Sequence, residues 1–254
     1  MFDYRSMFDL TGKKVLLVGA GRGIGEAGAQ GLAAFGAEVF CADVDGEAAE
    51  ETAEEIRSQK GRAEALELDM TDSGSVYAAA ERVGVPDVLV STPSINVRKP
   101  LLEITDEEFD RVVDLNLKGT FRLIREFGRG MAERGSGSII AFSSIRAQVV
   151  EPGQGVYAAT KSGTVQMLRA LAAELGPRGV RVNAIAPGYF ENIMGGATEE
   201  HSHAEKQEQI ITFTPMGRRG LPEELVGPVV FLASDASSYV TGAVLFVDGG
   251  YTAM

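Results

Sequence analysis

The 254-residue chain has no tryptophan, a single cysteine and only two histidines. One cysteine excludes an intrachain disulfide. Cys41 stands in the apolar run Glu38-Val39-Phe40-Cys41-Ala42, where a small buried hydrophobe is expected rather than a reactive thiol. His201 and His203 lie among glutamates, the pattern of a solvated loop more than of a metal site, so no metal is expected. Positive charge is also short: the net charge is −12, which disfavours a phosphate-backbone partner. No apolar stretch approaches the length that spans a bilayer. Met1 to Leu10 lacks the basic-then-apolar order of a secretory leader. The expectation is a cytoplasmic protein with no nucleic-acid or membrane partner.

What is present is rhythm. Apolar runs at Val15–Val18, Glu38–Ala42, Ala63–Leu68, Val88–Val90, Ser138–Phe142, Arg181–Ile185 and Ala243–Val247 read as strands. Segments of helical period separate them: Ile24–Phe35, Gly46–Lys60, Ser73–Val83, Asp106–Glu133, Val156–Leu175 and Pro222–Ser234. Regular alternation of this kind specifies a parallel sheet with helices on both faces, a doubly wound, Rossmann-type α/β domain spanning residues 1–254. The acidic runs from Asp43 to Glu55 and from Asp106 to Asp110 read as solvated helix faces. Residues 188–220 break the rhythm and are expected to form a substrate lid over the carboxyl ends of the strands.

Between the first strand and first helix runs Gly19-Ala20-Gly21-Arg22-Gly23-Ile24-Gly25, a turn whose amides can approach a pyrophosphate at a helix N-terminus. Asp43 ends the second strand, eighteen residues after Gly25, where a carboxylate accepts from ribose hydroxyls and repels a 2′-phosphate. That favours NAD over NADP. Arg22 pulls mildly the other way, with a salt bridge to Asp43 as its bland alternative. Tyr157 and Lys161 stand four apart, on one face of a helix, where an ammonium can lower a phenol's pKa. Ser144 follows the fifth strand and can hydrogen-bond a reacting oxygen. Asn116 falls mid-helix and needs a partner there; a water bridging it to Lys161 is the expected one.

With these pieces in place the chain resembles the short-chain dehydrogenase/reductase family of single-domain type. The likeness runs from the glycine turn through Asp69, Asn116, Ser144, Tyr157, Lys161 and Pro187-Gly188 to the closing Val247-Asp248-Gly249-Gly250. It implies a metal-free hydride transfer between NAD(P) and a secondary alcohol or ketone. Tyr157 would be the acid/base and Ser144 would orient the substrate oxygen. Lys161 would bind nicotinamide ribose and lower the tyrosine pKa, and Asn116 would hold a relay water. Asp69, Met70, Ser91, Pro187, Gly188 and Asn192 would complete the coenzyme site. Dimers or tetramers are implied as well. The chain departs from the family pattern at Ser91-Thr92-Pro93-Ser94, where Asn-Asn-Ala-Gly is usual, at Val18 for threonine, and at Asn192 for threonine.

Ser94 to Pro100, with Gly188-Tyr189-Phe190-Glu191, resembles the gluconate 5-dehydrogenase and polyol branch. Arg98 and Arg146 are then candidate partners of a substrate carboxylate, against the reading that both are rim residues, and Gln154 is a candidate pocket residue. The other expectations weighed are a 3-oxoacyl thioester reductase using NADPH and a cofactor-binding scaffold without turnover.

Overall fold

The computed structural model describes residues 3–191 and 204–253. Seven strands form one parallel sheet: β1 (Lys14–Val18), β2 (Glu38–Asp43), β3 (Arg62–Glu67), β4 (Val88–Ser91), β5 (Gly137–Phe142), β6 (Val180–Pro187) and β7 (Val244–Val247). Their order is β3-β2-β1-β4-β5-β6-β7, a doubly wound sheet of the expected class. The helices are α1 (Gly23–Ala34), α2 (Gly46–Ser58), α3 (Ser73–Val83), α4 (Asp106–Val113), α5 (Thr120–Arg134), α6 (Gly155–Leu175), α7 (Ala204–Phe213) and α8 (Val226–Ala233).

Burial on both faces explains why the inner strands read as unbroken apolar runs. In β1, Val15 and Leu17 join a core with Leu32 of α1 and Val229 and Leu232 of α8. Leu16 and Val18 point the other way, into a core with Val76, Leu123, Phe127 and Leu168 of α3, α5 and α6.

One expected element is interrupted. The segment Asp106–Glu133 is not a single α-helix, because Asp114–Gly119 winds as a π-helix between α4 and α5. Such wide turns cluster at functional sites. Of the expected lid, residues 192–203 lie outside the described residues. Among the described ones the segment holds α7 and a parallel bridge from Phe190 to Gly220.

The chain leaves β1 towards β2 and β3, then crosses back to β4, so the sheet reverses direction between β1 and β4. A doubly wound sheet binds its ligands at that switch point, over the carboxyl ends of the strands. Register places Val18, Ala42, Ser91 and Ala141 in one row at that end.

Candidate active site

At the end of β1 the chain turns on glycine. Gly19 has φ +89°, and its amide and that of Ala20 donate to Ala42 O at 2.7 and 3.0 Å. A Cβ on Gly25 would stand 1.7 Å from the Gly19 carbonyl oxygen, so α1 can start this close to the turn only without one. Asp45, Asp72 and Thr105 cap α2, α3 and α4 with their side chains, whereas Arg22 gives α1 no side-chain cap. The first amides of α1, past Gly23 and the buried Ile24, have no side-chain acceptor, an arrangement able to receive an anion. That donor set fits the pyrophosphate of a dinucleotide.

The carboxylate of Asp43 is fixed by two backbone donors, Gly21 N–H on Oδ2 at 2.9 Å and Asp45 N–H on Oδ1 at 3.0 Å. Arg22 does not pair with Asp43. It pairs with Asp45 at 3.0 Å, in a solvent-exposed bridge, because Asp43 already faces the turn backbone. Asp69 is held by Thr71, whose N–H and hydroxyl both donate to Oδ1, at 2.8 and 2.7 Å. Met70 is buried against the π-helical turn, where a Cβ on Gly119 would come 2.9 Å from its Cε.

The unusual Ser91-Thr92-Pro93-Ser94 stretch keeps the strands tied. Thr92 donates its N–H to Val18 O at 3.0 Å and its hydroxyl to Val18 O and Gly19 O at 3.1 and 3.3 Å. Ser91 is buried at the end of β4. On the far side, Pro187 ends β6, and Gly188 donates to Val247 O at 2.9 Å. Asn192, His201 and His203 lie outside the described residues.

Ser144, Tyr157 and Lys161 meet beyond the ends of β4, β5 and β6. The Ser144 hydroxyl accepts from Arg146 N–H at 3.1 Å, which leaves its own proton free to be donated. Ser144 and Ser94 both act on the Tyr157 phenol as hydrogen-bonding partners. Lys161 lies 5.6 Å from the Tyr157 ring centre. Burial raises the phenol pKa; Ser144, Ser94, Arg146 and Arg98 pull against it without overcoming it. The expected lowering by Lys161 is therefore not what dominates. The Lys161 amine, 2% exposed, is itself pulled down to about 7 by burial and donates to Phe142 O at 2.8 Å.

Asn116 finds protein partners for its mid-helix side chain. Its side-chain amide forms a two-way clamp with the backbone of Ile95, accepting from Ile95 N and donating to Ile95 O, each at 2.8 Å. A third bond reaches Thr160 Oγ1 at 3.2 Å. These bonds join the β4 loop to α6, so Asn116 holds the loop directly.

Arg146 is no rim residue. It is 4% exposed and paired with the Glu151 carboxylate and the Tyr189 hydroxyl. Its guanidinium lies 5.4 and 5.9 Å from the ring centres of Tyr189 and Tyr251, which meet edge-on. Gln154 is buried too and donates to Glu151 at 2.6 Å. The charge of Arg98 acts on the Tyr157 phenol and pulls its pKa down, as the smallest of the contributions named above. Sequence reasoning missed Glu151, the anion that organises this cluster. Its signal was a lone carboxylate in the short loop between Ser144 and Tyr157, near an arginine that had to be neutralised if buried.

Cys41 behaves as expected: it is fully buried, and burial pushes its thiol up to about 12. No helix among the described residues is long and apolar enough to cross a membrane.

Known proteins share this fold. The family model described as enoyl-(acyl carrier protein) reductase matches residues 19–252. Galactitol 2-dehydrogenase (L-tagatose-forming) of Cereibacter sphaeroides is 40% identical, over 98% of this chain and 99% of its own. A gluconate 5-dehydrogenase of Burkholderia cenocepacia, solved with NADP and tartrate, superposes with TM-score 0.92 at 34% identity, covering 98% of each chain. A short-chain type dehydrogenase/reductase of Mycobacterium marinum does so with TM-score 0.92 at 32% identity, covering 99% of this chain and 100% of that one. With the uncapped α1 beside a glycine turn and Ser144, Tyr157 and Lys161 gathered at the same sheet end, the chain belongs to the short-chain dehydrogenase/reductase family of nicotinamide-dependent oxidoreductases.

Proposed function

We propose that this protein is an NAD-preferring oxidoreductase that interconverts a secondary alcohol and a ketone on a small polyol or sugar-derived substrate. The observation that carries the reading is the meeting of Tyr157, Ser144 and Lys161 beside the glycine turn. When bound, the nicotinamide supplies or takes up the hydride. The chain's own task is the proton. Tyr157 Oη exchanges it with the substrate oxygen, and the Ser144 hydroxyl, whose acceptor side is filled by Arg146 N–H, donates to that same oxygen. Lys161 binds the nicotinamide ribose and stands beside the phenol ring. Asn116 is a positioning residue, since it fixes the Ile95 backbone next to Ser94.

The coenzyme preference rests on Asp43, held by two amides at the place where a 2′-phosphate would lie. Arg22, the cation that would welcome such a phosphate, is engaged with Asp45. Asp69, Met70, Ser91, Pro187, Gly188 and Asn192 complete the coenzyme-binding set. The substrate class is supported by the likeness to a galactitol and a gluconate dehydrogenase. Exposed apolar side chains on α4 and α5, Phe109 and Phe121, support association into a dimer or tetramer.

The test is a screen of polyols, sugar acids and their ketones, followed by nicotinamide absorbance with NAD and NADP in parallel. Turnover of a polyol or sugar acid with a lower KM for NAD is expected. Asp43→Ser should move that preference towards NADP by about tenfold. Binding of either coenzyme without turnover of any hydroxylated substrate would refute the reading.

A further inference from the structure

We propose that Asn96 is a specificity-determining residue that accepts a hydrogen bond from a substrate hydroxyl, so that the site prefers an uncharged polyol to the matching sugar acid. This deepens the oxidoreductase reading and rests on it.

The reasoning starts at a carboxylate, which can only accept. Glu151 Oε2 receives the Arg146 guanidinium, the Tyr189 hydroxyl at 2.9 Å and the Gln154 amide nitrogen at 2.6 Å. Gln154 must therefore give its NH₂ to Glu151, and its oxygen faces away. That oxygen takes the Asn96 amide nitrogen at 3.1 Å. Asn96 in turn has no choice of orientation: its nitrogen is committed and its Oδ1 remains. Each amide's direction is dictated by the negative charge at the start of the chain of bonds.

Asn96 Oδ1 is closed off from solvent and has no partner. The other buried side-chain atoms in that condition, among the described residues, are two nitrogens of Arg219, which take no part in this chain of bonds. A buried acceptor without a donor is unfavourable until a donor arrives. The position suits a substrate. Ser94, two residues earlier, acts on the Tyr157 phenol, and so does the charge of Arg98, two residues later. Ile95 between them is clamped by Asn116. Gln154 stands immediately before α6, three residues ahead of Tyr157.

Charge decides between substrate classes. Arg146 is neutralised by Glu151 and lies against two tyrosine rings, so it is no receptor for a carboxylate. A fixed amide oxygen repels a carboxylate and welcomes a hydroxyl. Arg98 is the rival determinant, since a guanidinium whose charge reaches the Tyr157 phenol would favour an acid.

Matched substrate pairs separate the two: galactitol against galactonate and glucitol against gluconate, assayed with the full-length protein and saturating coenzyme. Wild-type kcat/KM should favour the polyol of the better pair by about tenfold. Asn96→Ala should raise the polyol KM more than it lowers kcat and narrow the ratio. Glu151→Gln, which frees both amides to turn, should narrow it as well, while Arg98→Gln should leave the polyol ahead. Thermal melting identifies a variant that fails to fold, and the wild-type ratio then decides alone. An acid preference, abolished by Arg98→Gln, or a ratio untouched by Asn96→Ala in a folded protein, would overturn the inference but leave the oxidoreductase reading standing. No turnover of either class with either coenzyme would bring down both.

Discussion

On the β1–β2 side the crevice is made of backbone: a glycine turn, the bare amides of α1, and Asp43 pinned by two N–H groups. Beyond β4, β5 and β6 it is made of side chains: a buried lysine, a tyrosine with two serines, and an arginine neutralised by a glutamate. The first side recognises what never varies in a dinucleotide, its phosphates and ribose, and backbone donors are enough for that. The second must move a proton and choose among polyhydroxylated molecules. Both tasks need titratable or orientable groups, and burying these requires partners.

The largest expected effect lies in the side-chain half. Tyr157→Phe removes the proton-exchanging atom but keeps the ring beside Lys161. Turnover should fall by roughly a hundredfold to ten-thousandfold, while the Kd for NAD, measured by calorimetry, stays within a few-fold. A variant that loses coenzyme binding and turnover together would blur the division between the halves.

Lys161 offers the next test, through pH. Burial lowers its pKa from 10.5 to about 7, so between these values the unfolded chain holds a proton that the folded protein has released. Its contribution to stability is present above 10.5 and is lost as pH falls through about 7. Lys161→Met should flatten the rise of stability with pH over that window, by at most about 1.4 kcal/mol per pH unit. Denaturant unfolding at several pH values reads the difference in slope.

In the backbone half the strongest perturbation is a methyl group. Gly25→Ala puts a Cβ against the Gly19 carbonyl, a backbone group that cannot swing aside as a side chain could. Destabilisation of about 1–3 kcal/mol is expected, together with loss of NAD binding. Gly176→Ala, where a Cβ meets nothing within 4 Å, is the control. Equal melting temperatures for the two variants would show that the turn tolerates what its geometry forbids.

The same contrast explains what could be read from the sequence. The glycine turn, the seven strands and the Tyr157–Lys161 spacing are local patterns, and they are where the alternation placed them. Side-chain partners are set by tertiary contact, and there the sequence was mute. Nothing local reveals that Asn116 clamps Ile95, twenty-one residues away, or that Tyr189 meets Glu151 across thirty-eight. The π-helical turn that presents Asn116 is hidden too, because Asp106 to Glu133 keeps one helical period throughout. Thr92 shows a milder case: the residue type departs from the family pattern, yet a hydroxyl bonding Val18 and Gly19 serves for the missing asparagine.

Arg22 provides the smallest and sharpest test, because it is a charged side chain set in the backbone-built half. Its bridge to Asp45 leaves the two side chains 67% and 44% exposed, so screening by water and salt limits its worth. Arg22→Ala should cost well under about 1 kcal/mol of stability, and less still in high salt. If Asp43 governs the coenzyme preference, the Kd for NAD will hardly change, and NADP will remain the weaker ligand. A selective loss of NADP binding, in a protein that had bound NADP at least as tightly as NAD, would instead assign Arg22 the 2′-phosphate. The adenosine end would then be read by a side chain after all.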